Sequence, residues 1–304
     1  MQKLLQRIRH GFHWRYKANL KPRLTHLRIM ARWHLARPGK PHSLPGRLIV
    51  SITSFPPRFG TLALALRSLL RQTVTADQTV LWIAHKDMPL LPQNVLDLQS
   101  AGLTIRATED FRSYTKIIPA LDSFPDAFIC TADDDIYYRP SWLAELVKED
   151  NHVQKVIACH RAHRISLDEQ SRFRPYNRWH MNVQQRGQSP RLFPTGVAGI
   201  LYPPGSLVHS PSDRQAIWDL CPYGDDIWLY WMARRNGFTY KTAGRYRELI
   251  TLPGSQKQAL WHDNPAGGRN DEMIRKMAAR YGYPDLYTTG DAVSSEVSRH
   301  PPAP

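Results

Sequence analysis

The first 46 residues contain no aspartate or glutamate, while eleven lysines and arginines stand there unopposed. Taking those eleven from the chain's net charge of +15 leaves only +4 for residues 47–304. The body is therefore mildly basic and a basic arm carries the excess, which argues against a nucleic-acid-binding module spread over the whole chain. Cysteine is scarce as well. Cys130, Cys159 and Cys221 lie far apart, with no CxxC and no zinc spacing, which excludes a disulfide scaffold and a zinc ribbon. Buried free thiols in a reducing compartment are expected. No stretch approaches eighteen uninterrupted apolar residues, so no transmembrane helix is expected. The N-terminus lacks the apolar core and small-residue cleavage site of a signal peptide. These absences predict a cytoplasmic protein.

In the arm, Leu4, Leu5, Ile8, Phe12 and Tyr16 recur at helical spacing between basic residues, and Leu24, Leu27, Met30, Trp33 and Leu35 repeat the pattern. A basic amphipathic helix of this kind fits the surface of an anionic membrane. It also fits nucleic acid or an acidic partner, or packing on its own domain; the membrane surface is the preferred expectation. Pro38-Gly-Lys-Pro-His-Ser-Leu-Pro-Gly46 reads as a linker.

From Arg47 a periodic pattern begins. Strands are predicted over Leu48–Thr53, Thr79–Ala84, Leu103–Ala107, Ala127–Ala132 and Val153–His160. Helices are predicted over Phe59–Gln72, Val95–Ser100, Thr115–Leu121 and Trp142–Lys148. Alternation of this kind implies an α/β fold with a mostly parallel sheet covered by helices, and ligands then bind at the carboxyl ends of the strands. Residues 161–195, rich in Arg, Gln, Asn, Pro and aromatics, read as a long substrate-facing loop or excursion. The body is expected to end at residue 283, with 284–304 a flexible tail.

The chemistry concentrates in Ala127-Phe-Ile-Cys-Thr-Ala-Asp-Asp-Asp-Ile-Tyr-Tyr-Arg-Pro140, where a buried strand runs into three carboxylates. Adjacent like charges disfavour one another's ionised forms, so the turn needs a counter-charge. A divalent cation held by one or two carboxylates and substrate phosphates would supply it. In extended backbone Asp133 and Asp135 face the same way and converge on one ion, with Asp134 facing away. Pro222-Tyr-Gly-Asp225-Asp226-Ile-Trp-Leu-Tyr230 opens a helix with two carboxylates in its first turn. The helix dipole favours them there in any case, yet either could take a proton from a hydroxyl nucleophile. Trp228 and Tyr230 suit either sugar stacking or a core. His262 is a candidate nitrogen ligand, and Asn270-Asp271 a candidate helix cap. Arg58 and Lys116 stand beyond strand ends, where either would neutralise phosphates.

Taken together, Ser51-Ile-Thr-Ser-Phe-Pro-Pro-Arg58, Thr131-Ala-Asp-Asp-Asp135, Gly196–Pro204 and Gly224-Asp-Asp-Ile227 resemble the nucleotide-sugar-dependent glycosyltransferases of the GT-A fold. The likeness is strongest to bacterial enzymes of surface polysaccharide or lipopolysaccharide synthesis, and it spans about 47 to 271. It implies a GT-A (Rossmann-like) domain over 47–283, with a nucleotide-sugar half at 47–160 and an acceptor half at 161–283. The acidic turn resembles that family's DxD motif. By that resemblance Asp133 lies near the nucleotide ribose, Asp134 belongs to the nucleotide-binding set, and Asp135 holds Mn²⁺ or Mg²⁺ on the diphosphate. Thr53 and Arg58 match the loop that cradles base and ribose, Asp225 or Asp226 the catalytic base, and His262 the histidine completing the metal shell. The chain carries no QxxRW, unlike processive synthases.

The function implied is metal-dependent transfer of a sugar, most simply from a UDP-sugar, to a glycan or lipid-linked acceptor, by an enzyme peripheral on the inner face of the cell membrane. The alternatives are a sugar-nucleotide nucleotidyltransferase, whose phosphate loop needs the glycine that Ser54–Arg58 lacks, and a non-enzymatic protein that binds nucleic acid or anionic surfaces through its arm.

Overall fold

Leu48–Thr53 forms β1, and it lies mid-sheet because neither of its faces is wet. In a computed structural model of the chain, which describes residues 21–150, 154–207, 213–252 and 268–286, Ile49 packs with Val80, Trp82 and Ile129 on one face. Leu48, Val50 and Ile52 pack with Leu62, Leu66 and Leu69 on the other. Those three leucines lie on α2 (Phe59–Leu70). An apolar strand buried on both faces is what a parallel sheet between helices requires.

β2 (Gln78–Ala84) and β3 (Leu103–Thr108) extend the parallel sheet on one side of β1, and β4 (Phe128–Ala132) pairs parallel to it on the other. Besides a two-residue parallel pair of Lys40–Pro41 with Val74–Thr75, the further strands are β5 (Val156–Cys159), β6 (Ala162–Arg164), β7 (Gln188–Ser189), β8 (Leu192–Pro194), β9 (Ile200–Tyr202) and β10 (Thr239–Thr242). The main sheet has eight strands in the order β3-β2-β1-β4-β9-β5-β10-β7. β9 runs antiparallel between β4 and β5, and β7 closes the far edge antiparallel to β10. One sheet thus crosses both halves of residues 47–283. The expected α/β class, with a mostly parallel sheet flanked by helices, is what the chain adopts. Because the chain leaves β1 toward β2 on one side and reaches β4 on the other, a crevice opens outside the carboxyl ends of β1 and β4.

Helices α3 (Ile118–Ser123), α4 (Trp142–Lys148), α5 (Asp213–Leu220), α6 (Asp225–Arg235) and α7 (Gly268–Tyr281) complete the layers. Ile227 to Ala233 of α6 are all buried, so this helix is apolar all round and sits in the core. Trp228 and Tyr230 belong to that core, with the Tyr230 hydroxyl donating to the Pro190 carbonyl at 3.0 Å. They are not free to stack on a sugar. The segment 161–195 is likewise no open loop. β6 and β8 pair antiparallel, and Trp179 and Phe193 pack with Tyr176 against α6. Asp271 lies inside the first turn of α7 and accepts the Tyr176 N–H at 2.7 Å, fastening this lobe to the helix.

Helix α1 (Lys21–Leu35) lies against α2. Ile29 is buried with Ala65 and Leu252, and the Trp33 ring sits beneath Arg71, 4.2 Å from ring centre to guanidinium. Leu27 and Leu35 remain exposed at 62% and 81%. The five residues expected to share one face do not, because a three-residue step drifts by about 60° around a helix of 3.6 residues per turn. The docked face is instead Thr25, Ile29 and Trp33. Residues 1–20 and 287–304, and with them the first stretch of the arm and most of the tail, lie outside the described residues. The three cysteines are buried and unbridged. No described helix is long and apolar enough to cross a membrane.

Candidate active site

Two short segments bring the acidic residues to the rim. β4 ends at Ala132, and the chain turns at once through Asp133, Asp134 and Asp135. α6 begins at Asp225 after a turn at Gly224, where a Cβ would come within 2.7 Å of Met273.

The three aspartates take different partners. Lys116 Nζ lies 2.7 Å from Asp133 Oδ1 and 3.3 Å from Asp225 Oδ2, so one buried ammonium spans the two acidic turns. Its position is fixed from the backbone, because the Ser51 hydroxyl of β1 donates to the Lys116 carbonyl and receives the Trp82 indole N–H at 2.9 Å. Burial opposes the charge on Lys116, but Asp133, Asp225 and Asp226 outweigh it and hold its pKa well above the usual lysine value. Arg58, from the turn after β1, contacts Asp134 Oδ1 at 2.8 Å and Asp135 Oδ2 at 2.7 Å. Ser54 donates to the other oxygen of Asp134 at 2.5 Å. Burial raises the Asp134 carboxyl to about 6 even against Arg58 and Ser54.

The expectation that Asp134 faces away while Asp133 and Asp135 converge is therefore corrected. The strand ends at Ala132, so its two-residue periodicity stops there and the turn aims Asp134 beside Asp135 at Arg58. Among the described residues, no group of three or more His, Cys, Asp and Glu side chains is placed to hold a metal ion. His262 lies outside the described residues.

Asp226 is held from a third direction. Its Oδ1 accepts the Gly196 N–H at 2.9 Å, at the start of the turn into β9. A Cβ at Gly196 would stand 3.0 Å from that oxygen and 3.3 Å from Lys116 Nζ, so the close approach of this backbone depends on glycine. Three residues on, Gly199 has φ +101 and would drive a Cβ to 2.5 Å from the Trp142 ring, whose indole donates to the Ala198 carbonyl at 2.7 Å. Burial first, and the neighbouring Asp225 next, raise the Asp226 carboxyl to about 7 against the pull of Lys116 and the Gly196 N–H. A carboxylate at that value accepts and releases a proton near neutral pH.

Asp133, Asp134, Asp135, Asp225 and Asp226 are thus gathered around Lys116 and Arg58 on one rim. Thr53 stands at the end of β1 with its hydroxyl donating to the Trp82 carbonyl at 2.9 Å, bonded to the sheet rather than to this cluster. Sequence reasoning did not single out three contributors. Ser54 holds Asp134, Gly196 holds Asp226, and the Tyr138 hydroxyl accepts the Asp133 N–H at 2.6 Å. All three belong to motif-bearing stretches of the sequence, which is the one local signal they carry.

No protein-family model and no curated protein matches the chain. Solved structures do match it. The inositol-1-phosphate CTP transferase from T. maritima is 10% identical with a TM-score of 0.35, over 77% of this chain and 96% of that one. The mannosyltransferase PcManGT from Pyrobaculum calidifontis, in complex with GDP-Man and Mn²⁺, is 13% identical with a TM-score of 0.47, over 88% and 73%. Residues 1–349 of TarS from S. aureus are 12% identical with a TM-score of 0.39, over 77% and 72%. At such identities and scores these structures assign no activity here. What the chain's own fold and site define is a class: a mixed α/β protein with an acidic centre outside the carboxyl ends of its parallel strands.

Proposed function

We propose that this chain is a metal-dependent glycosyltransferase that moves a sugar from a nucleotide-sugar, in the first instance a UDP-sugar, to a glycan or lipid-linked acceptor of a bacterial surface polysaccharide. One observation carries the reading: Lys116 Nζ reaches both Asp133 of one acidic turn and Asp225 of the other. A donor-binding turn and a carboxylate able to act as base therefore share one rim.

The residues fit a hard divalent cation. Their donors are carboxylate oxygens, too few for an all-protein cage, which is the manner of Mg²⁺ and Mn²⁺ sites completed by substrate phosphates. Asp135 would hold the ion, since Asp133 is turned away from it toward Lys116, and the ion would neutralise charge on the departing nucleoside diphosphate. The rest falls to the chain itself. Thr53 and Arg58 border the base and ribose, beside Asp133 and Asp134. Lys116, between the acidic turns, supplies fixed positive charge where the donor phosphates lie. The acceptor hydroxyl oxygen bonds to the anomeric carbon as the bond from that carbon to the diphosphate oxygen breaks. The hydroxyl proton passes to Asp226, whose raised pKa suits it as base, and Asp225 beside it helps to orient the hydroxyl.

The reaction is tested by nucleoside diphosphate release from UDP-, GDP-, CDP- and ADP-sugars with Mn²⁺, water standing in for the acceptor. Release from one nucleotide class, lost in Asp135→Ala, is expected. Formation of nucleoside triphosphate and sugar 1-phosphate when pyrophosphate is supplied with the nucleotide-sugar would favour a nucleotidyltransferase instead.

We place the enzyme on the inner face of the cell membrane through its basic arm. α1 presents Leu27 and Leu35 outward beside basic residues, which suits an anionic lipid surface. The full chain should pellet with phosphatidylglycerol vesicles at 0.1 M salt, and a chain starting at residue 47 should stay in the supernatant. Equal pelleting of the two sinks the placement.

A further inference from the structure

Beside the acidic centre lies a hollow of the opposite charge. It encloses about 60 Å³, and Arg139, His160, Arg161, Arg245 and Arg247 line it. It adjoins the centre through two shared walls. Tyr138 lines it and accepts the Asp133 N–H at 2.6 Å. Ala198 lines it and closes the turn whose first residue, Gly196, holds Asp226. The hollow lies on the β5 side of the aspartate turn, since His160 directly follows β5, whereas Arg58 grips that turn from the β1 side.

Among the described residues, four guanidiniums face two carboxylates there, Glu145 and Glu248. Arg247 pairs with Glu145 at 3.2 Å. Arg161 is held by neutral groups, donating to Asn182 Oδ1 at 2.6 Å and Thr195 Oγ1 at 3.2 Å. Among the described residues, Arg139 and Arg245 are in no ion pair. His160 adds no charge: burial holds its pKa below the usual value, and its Nε2 donates to the Trp142 carbonyl at 2.9 Å. The excess is therefore arginine charge, which does not titrate, and its planar fork matches a carboxylate or phosphate. The aspartates of the neighbouring centre repel an anion that no cation holds there, so an anionic group of the acceptor is better placed in this hollow than beside them. A larger hollow of about 560 Å³ shares Glu145, Arg245 and Arg247 and gives room for sugar rings next to it.

We propose that this hollow seats an anionic substituent of the acceptor, a carboxylate or a phosphate, and so selects an acidic glycan over a neutral one. The word acceptor rests on the glycosyltransferase reading; the anion site does not. The test is calorimetric titration of the full chain, with Mn²⁺ and saturating UDP present, using methyl glucuronide, glucose 6-phosphate and neutral methyl glucoside. One of the two anionic probes should bind at least tenfold more tightly than the neutral one, and which of them does so names the substituent. The preference should vanish in Arg139→Gln/Arg245→Gln, since losing one charge-assisted hydrogen bond is worth roughly tenfold. Arg245 is exposed, so Arg245→Glu alone repeats the test should the double variant not fold. Equal binding of all three probes overturns the proposal, as does an unchanged preference in both variants. A tenfold loss of UDP affinity in the variants also overturns it, because the arginines would then serve the donor diphosphate. If no nucleotide binds while the anion preference stands, the glycosyltransferase reading fails and the anion site remains.

Discussion

Asp226→Asn should lower kcat/KM about 1000-fold while leaving nucleotide binding intact, within the range of about 10²- to 10⁴-fold that a positioned general base supplies. The amide keeps an oxygen for the Gly196 N–H, so the turn into β9 should hold. It cannot take the acceptor proton. The pH profile separates this role from a structural one. A base must be ionised to act, so wild-type kcat/KM should rise through about pH 7 and level off above it. The variant's residual rate should lack that rise.

Stability should move the other way. The Asp226 carboxyl is raised in the folded chain from 3.8 to about 7. Between those values the folded state holds a proton that the unfolded state has released, so stability falls as pH rises through that window. The loss is complete above the folded value. At pH 8 Asp226→Asn should therefore be more stable than wild type by on the order of 2 kcal/mol, and the gap should close toward pH 4. A variant that is both slower and more stable is the mark of a carboxylate kept for chemistry. If activity falls with no change in pH profile, Asp226 is a structural residue.

Lys116→Met should be the most damaging single change. It leaves Asp133 and Asp225 without the ammonium between them, and breaking a buried pair costs about 3–5 kcal/mol. Asp133 keeps 24% of its side chain exposed, so the lower end applies. At about 2.1 cal/mol/K per residue, 3 kcal/mol is roughly 5 °C in thermal midpoint for a chain of this length. The lysine's raised pKa means that its contribution is fully present below 10.5 and lost only as pH climbs through its folded value. The deficit should accordingly persist at pH 9, and grow somewhat as Asp226 ionises without the ammonium beside it. Donor binding should fall with it. Lys116→Arg should not restore function, since Gly196 and Asp226 close on the ammonium and leave no room for the broader fork. A midpoint drop that disappears by pH 9 would contradict this account of Lys116.

Much of the sheet was legible because its signal is local. Leu48–Thr53 and Trp142–Lys148 fall where their apolar patterns put them. So does the placing of the aspartate turn and of Arg58 on one rim, which follows from strand order alone. The details of the turn were not legible, because alternation describes a strand and the strand stops one residue before Asp133. The bond from Gly196 to Asp226 and the bridge from Lys116 to Asp225 join segments far apart in sequence, and no spacing rule reaches across them. The aromatic lobe within 161–195 has no periodicity to read; its order comes from packing Trp179 and Phe193 on α6. In α1 a three-residue apolar step imitated a helical face that the true turn angle breaks.

The central claim is that the aspartate turn is a donor site needing a divalent cation, and the thermal midpoint tests it most directly. UDP, GDP, CDP and ADP would each be added with and without Mn²⁺. A nucleotide at about 100 times its Kd stabilises by about 2.7 kcal/mol, roughly 4 °C here. The account predicts such a shift for one nucleotide, only with Mn²⁺, and its disappearance in Asp135→Ala. No shift with any of the four, or one that survives in Asp135→Ala at full size without metal, would contradict it.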